Sequence, residues 1–322
     1  MSFIEVNNVS KKFRINQRAS GIPGMLANLI VPRYEYRQAV KDISFSIEEG
    51  EMIGFIGPNG AGKSTTIKML SGILCPDSGE VQVGGYTPYK DRKNYVGNIG
   101  VVFGQKSQLQ WDLPVMDSFE LLKAIYRIPD KVYRENIDRF TEMLDMSTFL
   151  HQPVRQLSLG QRMRADIVAA LLHSPKIVFF DEPTIGVDVV GKETIRRFIR
   201  ELNEKDNITM IFTTHDMQDI EKVCDRLIFI DAGKKVYDGS IDEIKTKYAH
   251  SKTVEMLLED GTKEVKTFDV NETPMNEVME QLFSEYHIKD ISICEPEIDG
   301  IIRDIYEGRV SLDTKKAGVS HS

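Results

Sequence analysis

Nine consecutive residues, Gly57-Pro58-Asn59-Gly60-Ala61-Gly62-Lys63-Ser64-Thr65, fit the pattern G-x-x-x-x-G-K-[ST]. Its glycines let backbone N–H groups converge on phosphate oxygens, and a following helix adds the positive end of its dipole. Lys63 is placed to reach the β- and γ-phosphates, and the Ser64 hydroxyl to hold Mg2+. Further on, Asp181 and Glu182 close the apolar run Ile177-Val178-Phe179-Phe180. An aspartate at such a strand end can hold Mg2+ through water. The neighbouring glutamate can accept a hydrogen bond from an attacking water and orient it. Leu157-Ser158-Leu159-Gly160-Gln161 supplies a hydroxyl, a flexible backbone and a second helix N-terminus for phosphate. Gln105 and His215 each lie just past a strand end, and Asp188 lies in the loop after Glu182. These residue types and spacings describe a nucleotide site.

The surrounding elements must hold those residues in place. Met52 to Ile56 is short and apolar enough for a buried strand, and Thr65 to Leu70 reads as the helix after the glycine loop. Strands at 99–103, 177–180, 208–212 and 227–230 alternate with helical segments, which argues for a parallel sheet covered by helices. Residues 3–9, 43–47 and 79–83 read as further strands, and Gln161 to His173 as a helix. From Pro114 to about Leu150 the pattern is helical, an insert within the α/β body.

Ile15 to Gln38 reads as an insertion carrying Arg18, Arg33 and Arg37 against the single acid Glu35. Within it, Pro23 to Ile30 has the pattern of a short amphipathic helix. Two readings stand: a surface loop packed on its own domain, or a basic element touching a membrane surface or a membrane partner.

Past Tyr237 the pattern changes. Ser240-Ile241-Asp242-Glu243 is a capping box, and Asp260-Gly261 joins two strands as a hairpin. A helix over 274–286, a strand over 288–293 and a helix with Ile298, Ile301, Ile302 and Ile305 complete a small α+β module. Residues 311–322 read as a disordered tail.

Composition narrows the class. At 41% hydrophobic and 28% charged, the 322 residues can bury a sizeable core. A net charge of −8 leaves no overall basic footprint for nucleic acid. No run approaches the roughly 18 apolar residues of a membrane span, and the start, Met1-Ser2-Phe3-Ile4-Glu5, does not read as a signal peptide. Cys75, Cys224 and Cys294 are too widely spaced for a zinc site or a disulfide framework, so a reducing cytoplasm is expected.

In this order the motifs resemble those of an ABC-type ATPase, the nucleotide-binding subunit of ABC transporters, over residues 1–240. The resemblance makes Gly57 to Thr65 the Walker A loop, Gln105 the Q-loop glutamine and Leu157 to Gln161 the signature. It makes Ile177 to Asp181 Walker B, Glu182 the catalytic glutamate, Asp188 the D-loop aspartate and His215 the switch histidine. It implies an α/β fold: an ABC-type P-loop ATPase domain with an antiparallel β subdomain and a helical subdomain at 106–160. The α+β module at 241–310 follows it. It implies ATP and Mg2+, with Lys63, Glu182 and His215 as catalytic residues and Ser64, Gln105 and Asp181 at the metal. Ser158, Gly160, Gln161 and Asp188 would join Gly57 to Thr65 around the nucleotide. Phe13 is the first choice for the aromatic that stacks on adenine, with Tyr34 or Tyr36 as substitutes.

One departure is plain: the signature reads LSLGQ, with Leu159 where glycine is commonest. Ser158 and Gly160 remain, so activity is expected to survive. The wording around the motifs is similar to ATPases of bacterial ABC-2-type exporters, including drug-resistance and sodium-efflux relatives. That likeness implies a head-to-tail pair with a second copy or a homologous ATPase, docked on separate permease subunits at the cytoplasmic membrane face. Trp111 lies in the region that faces permeases in this family and reads equally as a partner contact or as local packing. The alternative is a soluble ABC ATPase serving translation, repair or cofactor assembly. Against it stand the single Walker A motif, the lack of a long heptad run and the acidic charge.

Overall fold

A computed structural model describes residues 2–16, 34–104, 106–214, 216–248, 251–294, 298 and 300–302. Gln105, His215, residues 17–33 of the expected insertion, Ile305 and the expected tail at 311–322 lie outside the described residues. The chain divides into two units, Met1–Asp238 and Gly239–Ser322.

The first unit begins with β1 (Ile4–Asn16), β2 (Tyr34–Ile47), β3 (Met52–Ile56), α1 (Lys63–Leu70), β4 (Ser78–Val83), α2 (Arg92–Tyr95) and β5 (Ile99–Phe103). It continues through α3 (Val115–Tyr126), α4 (Asp130–Met143), α5 (Leu159–Leu171), β6 (Ile177–Asp181), α6 (Val189–Asp206) and β7 (Thr209–Thr213). It closes with α7 (Met217–Val223), β8 (Arg226–Asp231) and β9 (Lys234–Ser240), which leads into the second unit.

Among the described residues, six strands form one sheet in the order β5-β6-β7-β3-β8-β9. The pairs β5–β6, β6–β7, β7–β3 and β3–β8 are all parallel. Every residue of β3 and β7 is buried, as expected of strands covered on both faces. On α6 the stripe Ile195, Phe198, Ile199 and Leu202 turns inward, and each such side chain contributes about 1.5–3 kcal/mol. That helix starts at Asp188, whose side chain accepts from the Gly191 N–H, and stops at Asn207 in the left-handed region.

A second sheet, β2-β1-β4, is antiparallel. Ile4, Val6 and Val9 of β1 join Ile43, Phe45 and Ile47 of β2, Val81 and Val83 of β4, and Ile67, Met69 and Leu70 of α1 in one core. Here the structure corrects the sequence reading. The pairing of β1 with β2 runs on through Phe13↔Arg37 and Ile15↔Glu35 to Asn16↔Tyr34. Both ends of the expected insertion are therefore strand, held by backbone hydrogen bonds that their charged side chains conceal. The helical region is a pair, with α3 ending at Arg127 in the left-handed region before α4 begins.

In the second unit, α8 (Ile241–Tyr248) precedes β10 (Ser251–Leu258), β11 (Lys263–Asp269), α9 (Met275–Glu285) and β12 (Ile288–Cys294). The strands form an antiparallel sheet in the order β11-β10-β12. Val254 and Met256 of β10 pack against Val278 and Leu282 of α9. The β10–β11 turn contains Gly261 at φ +86°, and α8 opens with the Asp242 N–H donating to Ser240 Oγ at 3.1 Å.

Candidate nucleotide site

The central strand β3 delivers the glycine loop at the C-terminal edge of the parallel sheet. Gly57 has φ +150°, and a Cβ there would lie 2.0 Å from the Ile230 carbonyl oxygen. Gly62 has φ +112°, and a Cβ there would lie 2.5 Å from the Ala39 carbonyl oxygen. Neither position has room for another residue. Lys63 turns back on this loop and donates to the carbonyl oxygens of Gly57 at 2.5 Å and Pro58 at 3.2 Å. Burial pushes its pKa below the ordinary lysine value, while the carboxylates of Glu182 and Asp181 act in the opposite direction.

Strand register aligns the chemistry. Phe55 pairs with Thr213, Thr213 with Asp181 and Asp181 with Phe103, so these residues form one row across the sheet. Asp181 Oδ1 accepts from Thr213 Oγ1 at 2.8 Å and from Ser64 Oγ at 3.3 Å. Glu182 leaves the strand with φ +58°, and its N–H donates to the Thr213 carbonyl oxygen at 3.0 Å. A left-handed conformation costs a non-glycine residue about 1–2 kcal/mol, and here it turns the chain sharply just past the strand end.

Two cavities flank the loop. One, of about 400 Å³, is lined by Ser64, Lys68, Phe103, Asp181 and Glu182. The other, of about 390 Å³, is lined by Phe13, Ile15, Arg37, Lys63, Thr65 and Glu182. Both are lined by Asn59, Ser64 and Glu182. Of the three aromatics considered for adenine, Phe13 is the one lining this space. Tyr34 and Tyr36 pair with Asn16 and Arg14 on the other face of the hairpin, where the Arg14 guanidinium lies 3.2 Å from the centre of the Tyr34 ring.

Residues 40–185 match the family described as ABC transporter. The chain is 31% identical over 207 residues to the ABC transporter ATP-binding protein NatA of Bacillus subtilis (strain 168), covering 64% of this chain and 84% of that protein. It is 30% identical over 272 residues to the linearmycin resistance ATP-binding protein LnrL of the same organism, covering 84% and 83%. This chain belongs to the ABC transporter ATP-binding proteins. A solved dimeric structure of a post-hydrolysis state of the ATP-binding cassette MJ0796, bound to ADP and Pi, superposes with a TM-score of 0.62 at 27% identity. That match covers 74% of this chain and 98% of that one.

In this ABC ATPase the signature residues form a second cluster. Helix α5 begins at Leu159, two residues earlier than its apolar spacing indicated, because Ser158 is the N-cap. Ser158 Oγ accepts from the Gln161 N–H at 3.2 Å, and Gln161 Oε1 accepts from the Ser158 N–H at 2.9 Å. With its oxygen accepting, the Ser158 hydroxyl still has its own proton to donate. Gly160 packs on the loop after Glu182: a Cβ there would lie 3.4 Å from Val187 Cγ1 and 3.9 Å from Asp188 Oδ2. Ser158, Gly160, Gln161 and Asp188 line neither of the two cavities beside the phosphate loop. Trp111 is exposed, with the Arg162 guanidinium 5.9 Å from its ring centre.

Sequence reasoning missed several residues that position these motifs. Thr213 holds both Asp181 and the backbone of Glu182. Asp219, fully buried, accepts from Arg196 Nε at 2.6 Å and from Thr184 Oγ1 at 2.5 Å, and lies 3.5 Å from Thr214 Oγ1. It thereby ties the loop after Glu182 to the segment leading into residue 215. Asp166, buried on α5, accepts from Ser107 Oγ at 2.9 Å and the Gln108 N–H at 3.0 Å, and burial pushes its pKa up to about 6. The available signal was an acid on an otherwise apolar helix face, Asp219 beside Ile220 and Val223, and Asp166 beside Ile167 and Ala170.

Proposed function

We propose that this ABC ATPase works as one of two ATP-hydrolysing subunits that drive an ABC-2-type exporter through separate membrane permeases. The observation that carries the transport reading is the extent of the likeness to LnrL. Its 272 aligned residues exceed the first unit, which ends at Asp238, so the likeness to a resistance protein continues into the second unit. Among the described residues no helix is long and apolar enough to cross a membrane, consistent with permeases on other chains and a place at the cytoplasmic membrane face.

The residue roles are those the motifs lead us to expect, and the geometry supports them for the described residues. Gly57 to Thr65 cradle the triphosphate with backbone N–H groups, Lys63 supplies the positive charge, and Phe13 offers a face to the base. Ser64 Oγ and Asp181 Oδ1 lie 3.3 Å apart, hard oxygen donors suited to Mg2+, with Thr213 fixing the carboxylate and Gln105 as a further ligand. Bound there, Mg2+ would neutralise phosphate charge. Glu182 orients the attacking water, and His215 serves the same phosphate as switch residue.

Because Ser158, Gly160, Gln161 and Asp188 stand apart from the chain's own phosphate-loop cavities, the site is completed by a second copy placed head to tail. The Ser158 hydroxyl and the α5 N-terminus then meet the γ-phosphate from the partner side. Likeness to a linearmycin resistance ATP-binding protein favours export over a soluble role in translation, repair or cofactor assembly. To test this, the tagged chain is isolated from detergent-solubilised membranes of its native host. Polytopic membrane proteins that co-purify and raise its ATPase rate support the proposal. Recovery of ribosomal or soluble partners alone refutes the transport role.

A further inference from the structure

We infer that Arg37 binds the nucleotide directly, as a second cation at the phosphate chain, supplied by the antiparallel hairpin opposite Lys63. The inference rests on the nucleotide reading of the phosphate loop given above.

The placement comes from strand register. Arg37 on β2 pairs with Phe13 on β1, so the two side chains emerge on the same face of the hairpin. That face looks onto the glycine loop: Phe13, Ile15 and Arg37 line the same cavity of about 390 Å³ as Lys63 and Thr65. The Arg37 guanidinium reaches the loop itself, with Nη2 3.4 Å from where a Cβ on Gly60 would lie. Arg14, on the other face, stacks on Tyr34 instead. Among the described residues Arg37 makes no salt bridge, in contrast to Lys11 with Asp77 or Arg226 with Asp238.

A cation that makes no salt bridge among the described residues, beside a phosphate loop, matches an anionic ligand. The guanidinium presents a planar fork that fits two phosphate oxygens at once, whereas the Lys63 ammonium acts as a point charge. Arg37 pairs with Phe13, the residue offered to the base, and its guanidinium reaches the phosphate loop at Gly60. Its contact is therefore with the phosphate chain rather than with the base. The long β1–β2 pairing explains how a residue from the expected insertion comes to serve the site.

The test uses the full chain and displacement of a fluorescent ATP analogue by ATP, ADP and adenosine. Arg37 is exposed, so Arg37→Ala is expected to melt as the wild type does. The expected result is an affinity about tenfold lower for ATP and ADP, with adenosine little changed. The salt dependence of ATP binding becomes shallower, and Arg37→Lys recovers part of the loss. Unchanged ATP affinity in Arg37→Ala overturns the inference. So does an equal loss for adenosine, which would report a disturbed Phe13 face. A wild-type chain that binds no nucleotide overturns both this inference and the reading beneath it.

Discussion

Leu159 of the signature lies against the bare backbone of Gly186 in the D-loop: a Cβ on Gly186 would come within 2.4 Å of Leu159 Cδ2. The leucine that breaks the usual signature thus occupies space that the D-loop leaves open, and Gly186 itself has φ +67°. The two residues act as a matched pair, joining the signature turn to the loop that carries Asp188. Gly186→Ala is expected to lose about 1–2 kcal/mol to backbone strain, with a further loss from the clash. Leu159→Gly in that background should return the clash component only. A double-mutant cycle on thermal unfolding measures the coupling, and strict additivity would show that the contact carries none.

Asp219 provides a second structural prediction. Asp219→Ala leaves the guanidinium of Arg196 buried without its main partner, a loss of about 3–5 kcal/mol. It also releases Thr184 and Thr214, so kcat should fall more than KM changes. Denaturant unfolding and steady-state ATPase kinetics check the two effects separately.

Asp166 gives a pH signature. Burial raises its carboxyl from an ordinary 3.8 to about 6, so the folded chain holds that proton more tightly than the unfolded chain does. Its contribution is therefore fullest below pH 4, declines as pH rises from about 4 to about 6, and is constant above. The interval corresponds to about 3 kcal/mol. The difference in unfolding free energy between wild type and Asp166→Asn, measured across that range, should show this slope, and a flat difference would contradict it.

How much of this was legible in the sequence depends on the kind of constraint. The glycine loop, the acids ending β6 and the signature are readable because phosphate chemistry requires fixed residue types at fixed spacing along one stretch. The parallel sheet is readable because its strands are apolar on both faces. Arg37 was not, because its role depends on register with Phe13 across a charged hairpin that reads as an insertion. Thr213 and Asp219 were not, because their partners come from distant segments brought together only by folding. The early start of α5 was missed because its first turn, Leu159-Gly160, follows the cap rather than the apolar stripe.

The most direct test of the shared nucleotide site is sedimentation of Glu182→Gln with ATP and Mg2+. Glu182 lines both cavities beside the phosphate loop, and replacing its carboxylate should slow hydrolysis about 100- to 10,000-fold while leaving nucleotide binding intact. An ATP-dependent dimer is expected that disappears on adding Ser158→Ala, although the monomer still binds ATP with wild-type affinity. A Glu182→Gln chain that binds ATP yet stays monomeric, or a Ser158→Ala chain whose monomer loses ATP, would contradict it.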